Sequence, residues 1–416
     1  MDDVYLIGVS CTQFGKQPNR SFKDLTRQAY LEVLADAGLS SGERIEQAWF
    51  GNCGMGTFGQ RNIRGQVCFT PLVSEGLFPE RVPMINVEGG CATASMALHG
   101  AYKDILSGQA DLSLAIGVEK TFFPEDPGKT QEIFEGGIDQ LDPQEWMAYY
   151  QEAGEKSGKP FLPNAAGGTL FMDTYAMQAA YHMKTFGTTR EQIAFAASKN
   201  HAMGALNPKA QYRFEVTQQE VLNDREVSWP LTRSMCSPIG DGAAAGLLCS
   251  ARALKEMPAA VRERAIRVRA GTLTGGKYRR LDEPGLSQLA AKRAYAAAGI
   301  TPQAVDVAEV HDATSFCEIY QAEMLGFCDI GSGGAFVGSG ATALGGRIPT
   351  NLSGGLVSKG HPVGATGLSM IYELVGQLRG ECGPRQVKDA DIGLAENGGG
   401  VMGFDEAACA VTLLQR

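Results

Sequence analysis

Four short stretches of this chain carry side chains whose types and spacing could do chemistry. The first is Asn86-Val87-Glu88-Gly89-Gly90-Cys91-Ala92-Thr93-Ala94-Ser95. Cys91 follows a glycine pair and opens a run of mostly small and apolar residues, Ala92 to Leu106, that reads as a buried helix. A cysteine at a helix start sits among unpaired N–H groups, at the positive end of the helix dipole. Such a setting favours the thiolate, the nucleophilic form. The glycines before it let a substrate or another backbone come close. The competing expectation is an inert buried thiol, because the chain has ten cysteines and free Cys commonly packs as a small hydrophobe.

The second stretch is Gly360-His361-Pro362-Val363-Gly364-Ala365-Thr366-Gly367, a histidine directly before a small-residue helix start. Imidazole there can accept a proton from a thiol or donate to a developing oxyanion. The third, His311-Asp312-Ala313-Thr314-Ser315-Phe316, ends a strand-like run. For His311 and His361 the alternative is a purely structural histidine. The chain has five histidines; His99, His182 and His201 fall inside helical patterns and read as surface or core residues. The fourth stretch is Ala395-Glu396-Asn397-Gly398-Gly399-Gly400-Val401-Met402-Gly403. Its glycine triple is either a flexible loop or a turn whose N–H groups face a reaction centre.

The elements that must position these residues repeat weakly along the chain. Val4–Val9 reads as a strand, Phe22–Ala37 as an amphipathic helix closed by Gly38, and Ile45–Phe50 as a second strand. Later, Ile266–Ala270 reads as a strand, Gly285–Ala298 as a helix closed by Gly299, and Val305–Val310 as a strand ending at His311. Gly suits the position after a helix because it takes positive φ without strain. Asn86-Val87-Glu88-Gly89-Gly90 is matched by Asn351-Leu352-Ser353-Gly354-Gly355, each followed by a small-residue helix. Alternating strands and helices imply an α/β protein with helices packed on sheets. The reading is two βαβ-rich halves, 1–120 plus 231–255 and 256–416, with Ala243–Leu248 returning as a strand of the first and Ala407–Leu414 ending the second. Residues 121–230 form an insert. Its prolines and glycines (Pro124, Pro127, Gly128, Gly136, Gly137, Pro160, Pro163, Gly167, Gly168) predict that its first part is largely loop, before helices over Asp173–Phe186 and Arg190–Ala202. Its aromatic residues Trp146, Tyr149, Tyr150, Phe161 and Phe171 form either a small core or a pocket for a bulky acyl group.

Composition narrows the function. The 416 residues carry a net charge of −9, against the basic footprint of a nucleic-acid binder. No segment approaches 18 uninterrupted apolar residues, so no membrane span is expected. The N-terminus enters a strand-like run with no basic or apolar leader, and the cysteines form no CxxC pair or metal-ligand spacing. A reducing, cytoplasmic setting and no bound metal are the expectations.

Taken in order, GGCATAS, HDATSF, GHPVGATG and GGG resemble the motifs of the thiolase family over nearly the whole chain. Met177 to Ala202 resembles that family's inserted loop domain, and Ser237-Pro238-Ile239-Gly240-Asp241-Gly242-Ala243-Ala244-Ala245 the strand returning from it. The histidine of HDATSF, where degradative and biosynthetic thiolases have asparagine, resembles the sterol-carrier-protein type. The resemblance implies a thiolase fold of two pseudo-symmetric halves layered α-β-α-β-α, and an acyltransferase that cleaves or forms a β-keto acyl-CoA. Cys91 would be the acylated nucleophile. His361 would take its proton and later help hold an enolate oxygen, with His311 completing that oxyanion hole. The N–H groups of Cys91 and Gly398 would form a second hole, and Ser237 would lie near the pantetheine arm of coenzyme A. Coenzyme A is then a cosubstrate, with no permanently bound cofactor. A homodimer or higher oligomer is implied, and a small zinc-ribbon/OB-fold protein is a possible partner. The benzoylsuccinyl-CoA thiolases are a branch with a bulky aromatic acyl group. The alternative activity on this fold is a retro-aldolase, which dispenses with the cysteine.

The chain departs from the pattern in one respect. Thiolases have cysteine two residues before the glycine triple, and sterol-carrier-type members histidine; here it is Glu396. The cysteine often found two residues after the motif histidine is Ala313. The expected second acid/base is therefore Glu396, with Cys317 as its rival. A free Glu, with pKa about 4.3, suits a base; to act as an acid it needs burial.

Overall fold

The computed structural model describes residues 3–161 and 169–416. Pro163, Gly167 and Gly168, read above as loop, lie outside the described residues. Nine strands form one mixed sheet. In chain order they are β1 (Val4–Cys11), β2 (Gln47–Gly51), β3 (Met84–Val87), β4 (Leu112–Glu119), β5 (Gly242–Ser250), β6 (Ile266–Gly275), β7 (Val307–Val310), β8 (Ile392–Gly399) and β9 (Ala408–Gln415). Their spatial order is β3-β2-β4-β5-β1-β6-β9-β8-β7. β4 and β5 are buried along their whole length. Their uninterrupted small and apolar sequences fit strands covered on both faces.

The order β3-β2-β4-β5-β1 is mirrored by β7-β8-β9-β6, one strand short. In the first half β2 runs parallel to β3 and β4; in the second, β8 runs parallel to β7 and antiparallel to β9. The counterpart of β3 is reduced to a single parallel bridge, Ala308 to Thr350, just before the Asn351–Gly355 turn. The halves join where β1 meets β6 over three pairs, Val4 with Val268, Tyr5 with Arg267 and Leu6 with Ile266.

Helices complete the layers. Helix Phe22–Asp36, started by a Ser21/Asp24 capping box, buries Leu25, Ala29, Tyr30 and Val33 on the outer face of the first half. Helix Leu286–Ala298 buries Ala290, Ala291 and Ala294 on the second. Between the halves, helices Thr93–Leu106 and Thr366–Arg379 pack on one another. Ala97, Leu98 and Ala101 share one core there with Leu368, Ile371 and Leu374. The small residues of these two helices let them lie close and let both start at one place.

The first part of the insert is not loop. It holds helices Pro127–Glu135 and Pro143–Ser157, each with its proline in the first turn. There the missing N–H costs nothing, so these prolines start helices rather than break them. Asp142 caps the second by accepting from the Glu145 N–H. Helices Leu170–Phe186 and Arg190–Ala205 follow. Trp146, Tyr150 and Phe161 do form a small core, packed against Phe404 of the other half. The glycine triple, read as either a flexible loop or a turn, is mostly strand. Gly398 and Gly399 belong to buried β8, and the chain turns only at Gly400, with φ 71°.

Candidate active site

Cys91 lies in a 3-10 turn, Gly90–Ala92, that leads into the Thr93–Leu106 helix. Gly90 has φ 56°, and a Cβ there would lie 2.6 Å from the Gly400 nitrogen. A Cβ on Gly399 would lie 2.2 Å from the Ala92 nitrogen and 2.5 Å from that of Cys91. Backbone from β8 of the second half therefore lies directly on the turn that presents the thiol. Neither glycine could carry a side chain there.

The structure brings His361 to this thiol. His361 Nε2 lies 3.1 Å from Cys91 Sγ, and Nδ1 lies 2.7 Å from Thr366 Oγ1. The Thr366 hydroxyl donates its own proton to the Pro362 carbonyl at 3.1 Å. Its oxygen must then accept from Nδ1–H, which leaves the Nε2 lone pair facing the thiol. Thr366 was not singled out from the sequence, although it lies within the GHPVGATG stretch.

Burial pushes the Cys91 thiol up to about 12, reinforced by Glu406 and Glu119 and opposed by its own backbone N–H. The expected thiolate is thus corrected to a neutral thiol. The turn's N–H does favour the anion, but loss of water outweighs it. Burial likewise holds His361 well below its ordinary value and His311 down to about 4, so both imidazoles are neutral. A neutral thiol facing a neutral base becomes a nucleophile when its proton crosses the 3.1 Å gap between Sγ and Nε2, and no charge is buried before that.

His311 follows β7, and its ring centroid lies 5.2 Å from that of His361. Among the described residues its buried Nε2 has no hydrogen-bond partner. Asp312 fixes the segment by accepting from the Leu356 N–H at 2.6 Å and from Asn200 at 2.8 Å. Cys91 Sγ, His311 and His361 place one ligand-type atom each within 4.8 Å of one another.

Glu396 and Gly398 lie on β8 two residues apart, hence on one face of the strand. Glu396 is fully buried. Its Oε2 accepts from the His311 N–H at 3.1 Å, and its Oε1 meets the Cys409 thiol at 3.5 Å. Burial, then the nearby Glu406, pushes it up to about 8. It lines neither of the two cavities at the site. The first, about 360 Å³, opens at Cys91 and is bounded by Glu88, Phe134, Phe171 and Gly400. The second is narrow, about 30 Å³, and is bounded by His311, Cys317, Tyr175, Tyr320 and Glu406. Phe171 and Gly400 line both. Cys317 is buried and pairs with Thr314 Oγ1 at 3.4 Å. Ser237 is half-buried, with its N–H donating to the Ala313 carbonyl, and it lines neither cavity.

The first cavity's back wall is tied down by Glu119, a buried carboxylate absent from the sequence reading. It accepts from the N–H groups of Cys53 at 2.9 Å and Gly54 at 3.1 Å. Burial pushes it up to about 7.

This Cys–His pair, assembled from two like halves across a shared helical layer, is matched by two family models. The thiolase N-terminal domain matches residues 4–228, and the thiolase C-terminal domain-like model matches residues 285–412. The chain belongs to the thiolase family. An acetyl-CoA acetyltransferase of Methanothermobacter thermautotrophicus is 37% identical over 97% of this chain and 98% of its own length. Sterol carrier protein 2 of Bos taurus is 34% identical over 97% of this chain and 73% of its own. Benzoylsuccinyl-CoA thiolase subunit BbsB of Thauera aromatica is 31% identical over 92% of this chain and 91% of its own. Among solved structures, an Ltp2-ChsH2(DUF35) aldolase superposes with a TM-score of 0.75 at 22% identity, covering 99% of this chain and 97% of that one. Acat5 thiolase of Ascaris suum in complex with coenzyme A superposes with a TM-score of 0.67 at 18% identity, covering both chains fully. The fold is the thiolase fold, and this thiolase is an acetyl-CoA acetyltransferase-like enzyme. Among the described residues, no helix is long and apolar enough to cross a membrane.

Proposed function

We infer that this thiolase cleaves, or forms, a β-keto acyl-CoA with coenzyme A as cosubstrate, through an acyl group carried on Cys91. The observation that carries this reading is the 3.1 Å approach of His361 Nε2 to Cys91 Sγ, with Nδ1 held by Thr366. In the cleaving direction the thiol proton passes to His361 Nε2 as Sγ attacks the β-carbonyl carbon. The imidazolium so formed donates Nε2–H to the enolate oxygen released when the Cα–Cβ bond breaks. The unpartnered His311 Nε2 is the second group for that oxygen. The N–H groups of Cys91 and Gly398 serve the other oxyanion, at the attacked carbonyl. Each lost donor of such a hole costs about 10²–10³ in rate. Ser237 is assigned to the coenzyme A arm. The phenyl rings of Phe134 and Phe171 on the cavity at Cys91 favour a bulky or aromatic acyl group. A homodimer or larger assembly in the cytoplasm, with or without a small zinc-ribbon/OB-fold partner, completes the proposal.

The test is mass spectrometry of the intact protein after brief incubation with a panel of β-keto acyl-CoAs, with Cys91→Ala alongside. An acyl mass on the native chain, missing from the variant and released by coenzyme A, is the expected result, and its size reads out the acyl group. Turnover of acetoacetyl-CoA but of no aromatic substrate removes the bulky-acyl assignment. Cleavage without any adduct overturns the covalent reading in favour of a retro-aldolase.

A further inference from the structure

The reaction needs one more group. Breaking the Cα–Cβ bond leaves an electron pair at the α-carbon, and something must give that carbon a proton. Two sequence candidates fit poorly. Glu396 has both oxygens engaged, one by the His311 N–H and one by the Cys409 thiol, and it lines neither cavity. Cys317 lines the narrow cavity, but its thiol is paired with Thr314 Oγ1 at 3.4 Å and burial pushes it up to about 12, so it is rarely ionised and a poor base for the reverse, bond-forming direction near neutral pH.

A third group is built into the site. The loop after the glycine triple is clamped by Arg279, the largest fully buried side chain among the described residues. Arg279 Nη2 donates to the Phe404 carbonyl, its backbone pairs with Met402 and Phe404, and its Nε lies 3.4 Å from Asp405. Asp405 also accepts from the Leu286 N–H at 2.8 Å, and Tyr150 OH donates to the Gly403 carbonyl at 3.2 Å. The next residue is Glu406. Its side chain lies over Gly398, where a Cβ would stand 2.4 Å from its Cγ and 2.9 Å from its Oε1. It lines the narrow cavity beside His311. The loop is thus held firmly, with the Glu406 carboxyl over Gly398 and facing the narrow cavity.

We propose that Glu406 is the catalytic acid/base at the substrate α-carbon, and that Glu396 is a positioning residue that holds the His311 segment. The assignment rests on the thiolase reading above. In cleavage, Sγ attacks, the Cα–Cβ bond breaks, and the pair forms the enolate. Protonated Glu406 delivers its proton to Cα and is left as a carboxylate. The incoming coenzyme A thiol gives its proton to Glu406 as its sulfur attacks the acyl-Cys91 carbonyl. Sγ then departs and recovers its proton from His361, so every group returns to rest. Burial, then Asp405, pushes Glu406 up to about 7, which keeps both of its forms available near neutral pH.

The experiment uses acetyl-CoA in D2O with the native chain and with Glu406→Gln, Glu406→Asp, Glu396→Gln and Cys317→Ala. Two quantities are read: the acetyl mass on Cys91, and deuterium entering the α-carbon of acetyl-CoA. Glu406→Gln is expected to lose at least about 100-fold in α-exchange; its acetyl-Cys91 formation slows as well, because the same carboxyl protonates the departing coenzyme A, but by less, a thiolate being a far better leaving group than a carbanion. Acetyl-Cys91 that still forms in the Gln variant shows that it is folded. Glu406→Asp, which keeps a carboxyl, exchanges faster than the Gln variant. Native-like exchange in Glu406→Gln, or its loss in Cys317→Ala instead, overturns the assignment and leaves the thiolase reading standing. Absence of any acyl adduct on Cys91 of the native chain, with acetyl-CoA and with the β-keto acyl-CoA panel alike, overturns that reading, and the assignment with it.

Discussion

Replacing Thr366 with Val should cripple the nucleophile while leaving the fold nearly intact. Valine keeps the shape of threonine but removes the oxygen that accepts from His361 Nδ1–H at 2.7 Å. In the resting enzyme that bond joins two neutral groups. Once the thiol proton moves to Nε2, the donor is an imidazolium, and a hydrogen bond to a charged group contributes about 1.5–3 kcal/mol. At 1.36 kcal/mol per decade, its loss slows acylation by about 10- to 150-fold. A second effect adds to this one. Without the Thr366 oxygen, the neutral ring can carry its proton on Nε2, where it no longer accepts from the thiol. The assay is single-turnover acylation of Cys91 followed by intact mass, with Thr366→Ser as the control that retains the hydroxyl. Acylation by Thr366→Val within twofold of native, in a folded protein, would refute the tautomer argument and with it the assignment of His361 as the base.

Two further outcomes follow from the packing. Burial raises Glu396 to about 8, so folding favours its protonated form. Its contribution to stability is full below the ordinary carboxyl range and is lost as pH rises through about 8. Denaturation between pH 5 and pH 9 should show the native chain weakening with rising pH and Glu396→Gln weakening less; equal slopes would contradict this. Gly399→Ala should reduce Cys91 acylation by at least about 100-fold, because its Cβ would lie 2.2 Å from the Ala92 nitrogen and shift the oxyanion-hole N–H of Cys91. Native acylation rates in that variant would show that the turn can move without cost.

What could be read from the sequence was local. Cys91, His311 and His361 stand in short stretches whose residue types imply their setting, and strands such as Val4–Cys11 and Gly242–Ser250 announce themselves by composition. The sign of the Cys91 shift was not readable, because a helix start is a local feature and the exclusion of water is not. Glu406 was missed for a similar reason. Nothing near it in sequence says where it points; that direction comes from Arg279, more than a hundred residues earlier. The insert prolines were misread because Pro ends some helices and begins others, and only the cap, such as Asp142, tells which. Strand Met84–Val87 is four half-buried residues at a sheet edge and gave no pattern to detect.

Cys91, the proposed nucleophile, comes from one half of the fold, while His311, His361, Glu396 and Glu406 come from the other. The two meet at a seam where β1 and β6 pair over three residues and where helices Thr93–Leu106 and Thr366–Arg379 pack on one another. Catalysis is therefore a property of docking and of neither half by itself. A disturbance that parts the seam would draw His361 away from Cys91 while each half kept its own strands and outer helix. Activity in this protein is a more sensitive gauge of how the halves sit together than any measure of folded content.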